Sequence, residues 1–292
     1  MANPRIPYRM SSSRPKLPPM AGKSILVHLV VNVEHWQFEH AMPRTIITPP
    51  HGRETVPDVP NFSWADYGMR AGLPRILDLF AKRGVPASAS FNAGVIDAYP
   101  EAAIAMREAG WEFIGHGMHQ KALNHVEGGE LALIRACLAK IEGFTGQKVR
   151  GWLSPGLRET VDTPDFLAEA GLDYVCDWVV DDLPSYMTTK SGQLVAMPYN
   201  VEVNDSIIYA IERHATGEMA RRLEFTLRQF EQESAENPRV LAIGLHPHLI
   251  SVPHRMHELV RMLDLLQASD KVLFTTGSAI CDWFTAHQQP GE

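Results

Sequence analysis

In this chain, side chains able to move a proton or hold a metal follow directly on apolar runs. Glu34 follows the run SILVHLVVNV, residues 24–33. His116 lies in GHGMHQ, just past the run at 111–114, and His246 lies in GLHPHL, just past the run at 240–245. A carboxylate so placed can ligate a metal or act as a general base. An imidazole can ligate a metal, or take or give a proton near neutral pH. Glycine on either side of His116 lets backbone approach closely and leaves the ring accessible. Pro247 stiffens the turn after His246, and efficient proton transfer needs such fixed placement. His119, His125 and His248 lack these supports and read equally well as loop residues. Asp181 and Asp182, on a turn before Leu183-Pro184, suit either a substrate N–H, a histidine in need of orientation, or a plain Asx turn. Asn204-Asp205 carries the same readings. Trp36, Trp152 and Trp178 also fall at run ends, where an aromatic ring either walls a planar ligand or fills the core.

The elements that must position these residues alternate along the chain. Residues 24–33, 85–91, 111–114, 149–153, 174–179, 194–198, 240–245 and 272–275 read as strands. Apolar spacing predicts helices over 68–83, 99–109, 130–144, 163–170, 216–233, 255–268 and 278–287. Strands alternating with helices indicate an α/β fold with a mainly parallel sheet. In barrel-like versions of that fold, catalytic side chains sit at the C-terminal ends of strands, where Glu34, His116 and His246 fall. Residues 37–66 read as a long, Pro-rich loop, which in a compact domain is functional or structured by context. Residues 1–22 read as an extended N-terminal arm, either disordered or packed on another subunit. Residues 23–292 read as a single catalytic domain, with no internal repeat and no linker.

Bulk properties exclude several roles. A net charge of −7 and a pI near 6.0 offer no basic face for nucleic acid or an anionic membrane. The run at 24–33 is too short to span a bilayer, which needs roughly 20 residues. The three cysteines, Cys137, Cys176 and Cys281, show no C-x-x-C spacing, so a reducing cytoplasm is the expected location. The first 22 residues lack the apolar stretch of a signal peptide, which speaks against an exported role. There is no G-x-S-x-G elbow, P-loop, H-E-x-x-H or dinucleotide fingerprint.

The segments VVNVEHW, EFIGHGMHQ, GWLSPGLR, DYVCDWVVDDLP, VAMPYNVEVND and LHPHLISVPHR occur in that order. Together they resemble the polysaccharide deacetylase (NodB-like) superfamily, over roughly residues 24–283. The branch they most resemble holds the urate-pathway allantoinase and cyclic imide hydrolases. The resemblance implies a distorted (β/α) barrel of the NodB type and hydrolysis of an amide without a covalent intermediate. It also implies an Asp-His-His metal site beside a catalytic acid. Glu34 falls at the ligand carboxylate, Asn32 at the catalytic acid and His116 at the first ligand histidine. The second ligand position is Gln120, not histidine. Asparagine cannot act as a base, and an amide oxygen is a poor ligand for Zn²⁺.

Two versions of the site follow from the resemblance. In one, Glu34 and His116, with or without His246, still hold a divalent metal such as zinc at a reduced site. In the other, the site is metal-free: Glu34 activates water, Gln120 and Asn32 bind substrate, and His246 protonates the leaving nitrogen. Substrate binding is also expected of Trp36, Trp152, Asp181 and Asn204. The expected substrate is a small cyclic amide or imide, allantoin-, hydantoin- or succinimide-like. The alternatives are a metal-dependent N-deacetylase of a sugar or polysaccharide, and an inactive binding protein that kept the barrel. The resemblance and the N-terminal arm suggest self-association as a dimer or tetramer.

Overall fold

The computed structural model describes residues 3–49, 52–53, 55–123 and 129–290, so His125 lies outside the described residues. Its organising element is β1 (Ile25–Val33), buried along its whole length. One edge of β1 pairs with β8 (Arg239–Leu245). The other edge is shared: β9 (Val272–Thr275) takes its first half and β2 (Ser88–Phe91) its second. From β2 the sheet continues through β3 (Glu112–Gly115), β4 (Gly151–Trp152), β5 (Tyr174–Val175), β7 (Gly192–Ala196) and β6 (Ser185–Thr189). Every pairing is parallel except β6 with β7. The sheet curls into the distorted, open barrel expected of the sequence.

Burial on both faces explains why β1 and β8 read as continuous apolar runs rather than alternating ones. The two faces nonetheless separate with a period of two. Ile25, Val27, Leu29, Val31 and Val33 pack outward against the helices. Leu26 and Val30 point inward, joined by Ile114 of β3 and by Val240 and Ala242 of β8. Continuing the inward parity past the apolar residues gives Asn32 on β1, Glu34 just after it, His116 after β3, and His246 after β8. Because the strands are parallel, all four inward positions lie at one end of the barrel.

Helices α2 (Leu73–Arg83), α4 (Pro100–Glu108), α5 (Glu130–Thr145), α6 (Thr163–Glu169), α7 (Glu218–Glu233), α8 (Pro253–Ala268) and α9 (Gly277–His287) match the predicted helical segments to within a few residues. A short α3 (Val95–Ala98) precedes α4. The helix predicted from residue 68 begins nine residues earlier, as α1 (Val59–Tyr67), inside what reads as loop. Asp58 caps it by accepting from Asn61 N at 3.3 Å, and Pro60 occupies its first turn. A π-helical turn, Gly68–Gly72, joins α1 to α2. There the helix runs against the loop after β8: a Cβ on Gly68 would lie 2.5 Å from His248 N. The edge strand β6 and a second π-helical turn, Ser206–Ile211, have no counterpart in the sequence reading.

The N-terminal arm packs on its own chain. Arg5 forms a two-pronged bond to Asp165 at 3.0 and 2.9 Å, and its carbonyl accepts from Thr188 N of β6 at 2.9 Å. Ile6 and Leu17 are buried, and Arg14 pairs with Asp181 at 2.8 Å. The arm thereby covers the exposed edge of the sheet. Among the described residues no helix is long and apolar enough to cross a membrane.

Candidate active site

His246 sets the geometry. Its Nδ1 lies 2.6 Å from Asp205 Oδ1, while the other oxygen of Asp205 accepts from the backbone N–H groups of His246 at 2.7 Å and Ile250 at 3.2 Å. The ring is therefore locked with Nε2 facing Glu34, whose Oε1 is 3.6 Å away. Glu34 is steadied in turn by the indole of Trp36, which donates to Oε2 at 2.7 Å. Burial pulls the pKa of His246 down, but the charge and hydrogen bond of Asp205, with Glu34, more than offset this and raise it.

His116 is almost fully buried. Its Nδ1 donates to the Leu153 carbonyl, which leaves Nε2 as an acceptor, and that atom has no hydrogen-bond partner among the described residues. Burial lowers its pKa, against the opposing pull of Glu34 and the Leu153 carbonyl, so the ring is neutral. Gln120 lies beside it, and Oε1 of Gln120 is likewise unpartnered among the described residues. Asn92 ties the loops together: its side chain accepts from His35 N at 2.9 Å and donates to the His116 carbonyl. Gln120 N donates to the His35 carbonyl at 3.0 Å, and His35 and His119 share a hydrogen bond between their Nδ1 atoms at 3.0 Å.

Glu34, Trp36 and Gln120 line a cleft of about 610 Å³ at this end of the barrel. Asn32 and Asn204 sit behind it. Asn32 Nδ2 donates to Tyr199 OH at 3.0 Å and to the Leu245 carbonyl at 3.3 Å, and Asn204 Nδ2 reaches the same hydroxyl at 3.2 Å. Those two amides thus brace the segment at 197–205 that delivers Asp205.

Two expected substrate contacts stand apart from the cleft. Trp152 has no exposed surface and donates to Ser154 Oγ at 3.0 Å, so it fills the core. Asp181 is held by Arg14 of the arm. The carboxylate that orients a histidine is Asp205. The sequence offers Asn204-Asp205 for that role on the same footing as Asp181-Asp182, because a 41-residue separation from His246 hides which of them pairs with it. His248 is a core residue, packed between Trp36 and Trp64 at ring distances of 5.5 and 4.6 Å.

A metal would need more donors than these residues supply. Nε2 of His116 is an orphaned buried acceptor, as a ligand nitrogen would be. Yet among the described residues no group of three or more His, Cys, Asp or Glu side chains is placed to hold a metal ion. The position that would complete such a set is Gln120, so the donors do not fit a three-ligand zinc site.

A carboxylate and an oriented imidazole at the mouth of a curled α/β half-barrel are groups of the kind that hydrolysis by acid–base catalysis uses. Comparison with known proteins shows what the chain resembles and over which residues. The polysaccharide deacetylase profile matches residues 62–175, a stretch that contains His116 and Gln120 but neither Glu34 nor His246. A Schizosaccharomyces pombe protein named as a polysaccharide deacetylase is 25% identical over 250 residues, 76% of this chain and 75% of its own. A crystal structure described as a polysaccharide deacetylase from Pseudomonas aeruginosa PAO1 matches with a TM-score of 0.83 and 26% identity, covering 93% of this chain and 94% of that one. The crystal structure of PuuE allantoinase has the same fold, with a TM-score of 0.83, 24% identity, and coverage of 94% and 95%. Residues 62–175 thus match a polysaccharide deacetylase domain, and the fold of the chain is that of the solved polysaccharide deacetylase and allantoinase structures.

Proposed function

We propose that the protein opens a small cyclic amide or imide with water activated at Glu34. The observation that carries this reading is the chain Asp205–His246–Glu34, which sets a carboxylate and an oriented imidazole 3.6 Å apart at the cleft. Glu34 takes a proton from water as the oxygen adds to the ring carbonyl. His246, whose raised pKa favours the charged form, gives its Nε2 proton to the ring nitrogen as the carbon–nitrogen bond breaks. The product is an open chain bearing a new carboxyl group at one end.

His116 Nε2 and Gln120 Oε1, both acceptors without partners among the described residues, suit the N–H groups of an imide, hydantoin or ureide ring. Similarity to PuuE allantoinase supports the ring-opening branch of the family. The cysteines are buried and unpaired, which fits the reducing cytoplasm. The family profile favours N-deacetylation of a sugar as the second reading.

One panel separates the two: allantoin, hydantoin, succinimide, maleimide and N-acetylglucosamine oligomers, each before and after chelator treatment. Ring opening that survives chelation is expected. Glu34→Gln should lower it by about 10²–10⁴-fold without changing the melting temperature, the range assigned to a positioned acid or base. Acetate release abolished by chelation would overturn the ring-opening reading.

A further inference from the structure

The charge around the cleft runs against the charge of the chain. The whole chain carries 34 acidic and 27 basic side chains. At the cleft, Glu34 is the only carboxylate among the lining residues, against three fixed cations, Arg44, Lys121 and Arg158. No carboxylate lies within ion-pair distance of any of the three cations among the described residues. Elsewhere Arg5, Arg14, Arg150, Arg222 and Arg239 each sit against a carboxylate.

Arg44 is the best placed. Its guanidinium is anchored by a single bond to Ser206 Oγ, the residue after Asp205. It is near enough to His246 and His248 for its charge to oppose protonation of both. Lys121 follows Gln120 directly, and Arg158 lies across the cleft after β4. A half-buried guanidinium with most of its donors free recognises a carboxylate with two parallel bonds. Cations gathered in a cleft also concentrate anions there.

We infer that the substrate is itself an anion: a small cyclic amide or imide bearing a carboxylate, which Arg44 grips while Glu34 and His246 address the ring. The inference rests on the ring-opening reading for the ring, but not for the charge. A carboxylate held by Arg44 leaves the neutral part of the ligand to face Gln120 and His116, whose acceptors take N–H donors.

Hydantoin and hydantoin-5-acetate form a matched neutral and anionic pair. Binding is measured by calorimetry on the Glu34→Gln protein, so that turnover plays no part. Hydantoin-5-acetate should bind about tenfold or more tighter than hydantoin, the yield of one charged hydrogen-bonded pair. Raised ionic strength should shrink that advantage. Adding Arg44→Met should reduce it to near unity, and Arg44→Lys should restore part of it, with melting temperatures confirming that both variants fold.

Equal binding of the pair, or an advantage that survives Arg44→Met, overturns the inference. If Arg44 served only the oxyanion that develops during reaction, its removal would slow both substrates alike and leave the binding ratio untouched, which is the same negative result. An intact binding advantage in a protein that opens neither ring, yet releases acetate from N-acetylglucosamine oligomers, would sink the ring-opening reading and leave the anion site standing.

Discussion

At the scale of single residues, the proposed acid is His246, and its behaviour depends on a buried neighbour rather than on its own burial. Desolvation alone would leave it less often protonated at neutral pH; Asp205 reverses the sign. A group that must be protonated to act loses activity as pH rises through its pKa. With that pKa raised, the alkaline limb of the pH–rate profile lies above the ordinary histidine value of about 6.5. Asp205→Asn removes the charge and keeps an oxygen for the backbone bonds. The alkaline limb should then move to lower pH, and kcat should fall by about 10²-fold or more. Loss of kcat with an unmoved limb would reduce Asp205 to a structural role. Glu34, His116 and His246 were legible in the sequence because each continues an apolar strand by one or two residues. Asp205 was legible only as part of one of two candidate pairs able to orient a histidine, and Arg44 not at all, because the pairings with His246 and Ser206 join distant loops that only the folded chain brings together.

At the scale of elements, the strands carry the site through their inward parity. The run at 24–33 and its partner at 240–245 needed no tertiary information to be read, since a strand buried on both faces is apolar throughout. Strand β6, Ser185–Thr189, escaped notice because it is short and mostly polar, buries only Met187, and pairs only as an edge. Helix α1 escaped because its proline-rich surroundings mask a proper Asp58 cap. Trp152 was misplaced for a related reason: a strand-end tryptophan in sequence does not reveal which face it takes. A tightly packed joint lies where β8 meets the segment at 197–205. Asn204 and Gly244 form a parallel bridge, and a Cβ on Gly244 would lie 2.7 Å from Tyr199 OH and also collide with the Asn204 amide. Gly244→Ala should therefore cost about 1–3 kcal/mol of stability, as overpacking does. It should also displace Asn204 and with it Asp205, lowering kcat more than it raises KM. A denaturant midpoint and a steady-state assay measure the two effects, and an unchanged midpoint would mean the segment moves freely.

At the scale of the whole molecule, a second acid pair shapes how stability varies with pH. Glu159 and Asp177 face each other beside the ends of β4 and β5. Asp177 accepts from Ser154 N at 2.8 Å and Glu159 from the Trp178 indole at 2.6 Å. Their remaining oxygens, Glu159 Oε2 and Asp177 Oδ2, have no partner outside the pair among the described residues. Burial first, and then the charge of Asp177, raises the pKa of Glu159, which favours a proton held by the pair. A carboxyl with a higher pKa in the folded chain binds more protons folded than unfolded. Stability then declines as pH rises above the ordinary carboxylate range, and continues to decline until the folded group ionises. Glu159→Gln supplies a permanent N–H toward Asp177 and keeps an oxygen for Trp178, so it removes that dependence. Its melting temperature should exceed that of the unsubstituted protein at pH 8, with the gap closing as pH falls toward 4. An unsubstituted protein that is equally stable or more stable at pH 8 would show that no proton is shared, and that Arg5, whose charge favours the ionised Glu159, reaches it from the N-terminal arm strongly enough to hold both carboxylates charged.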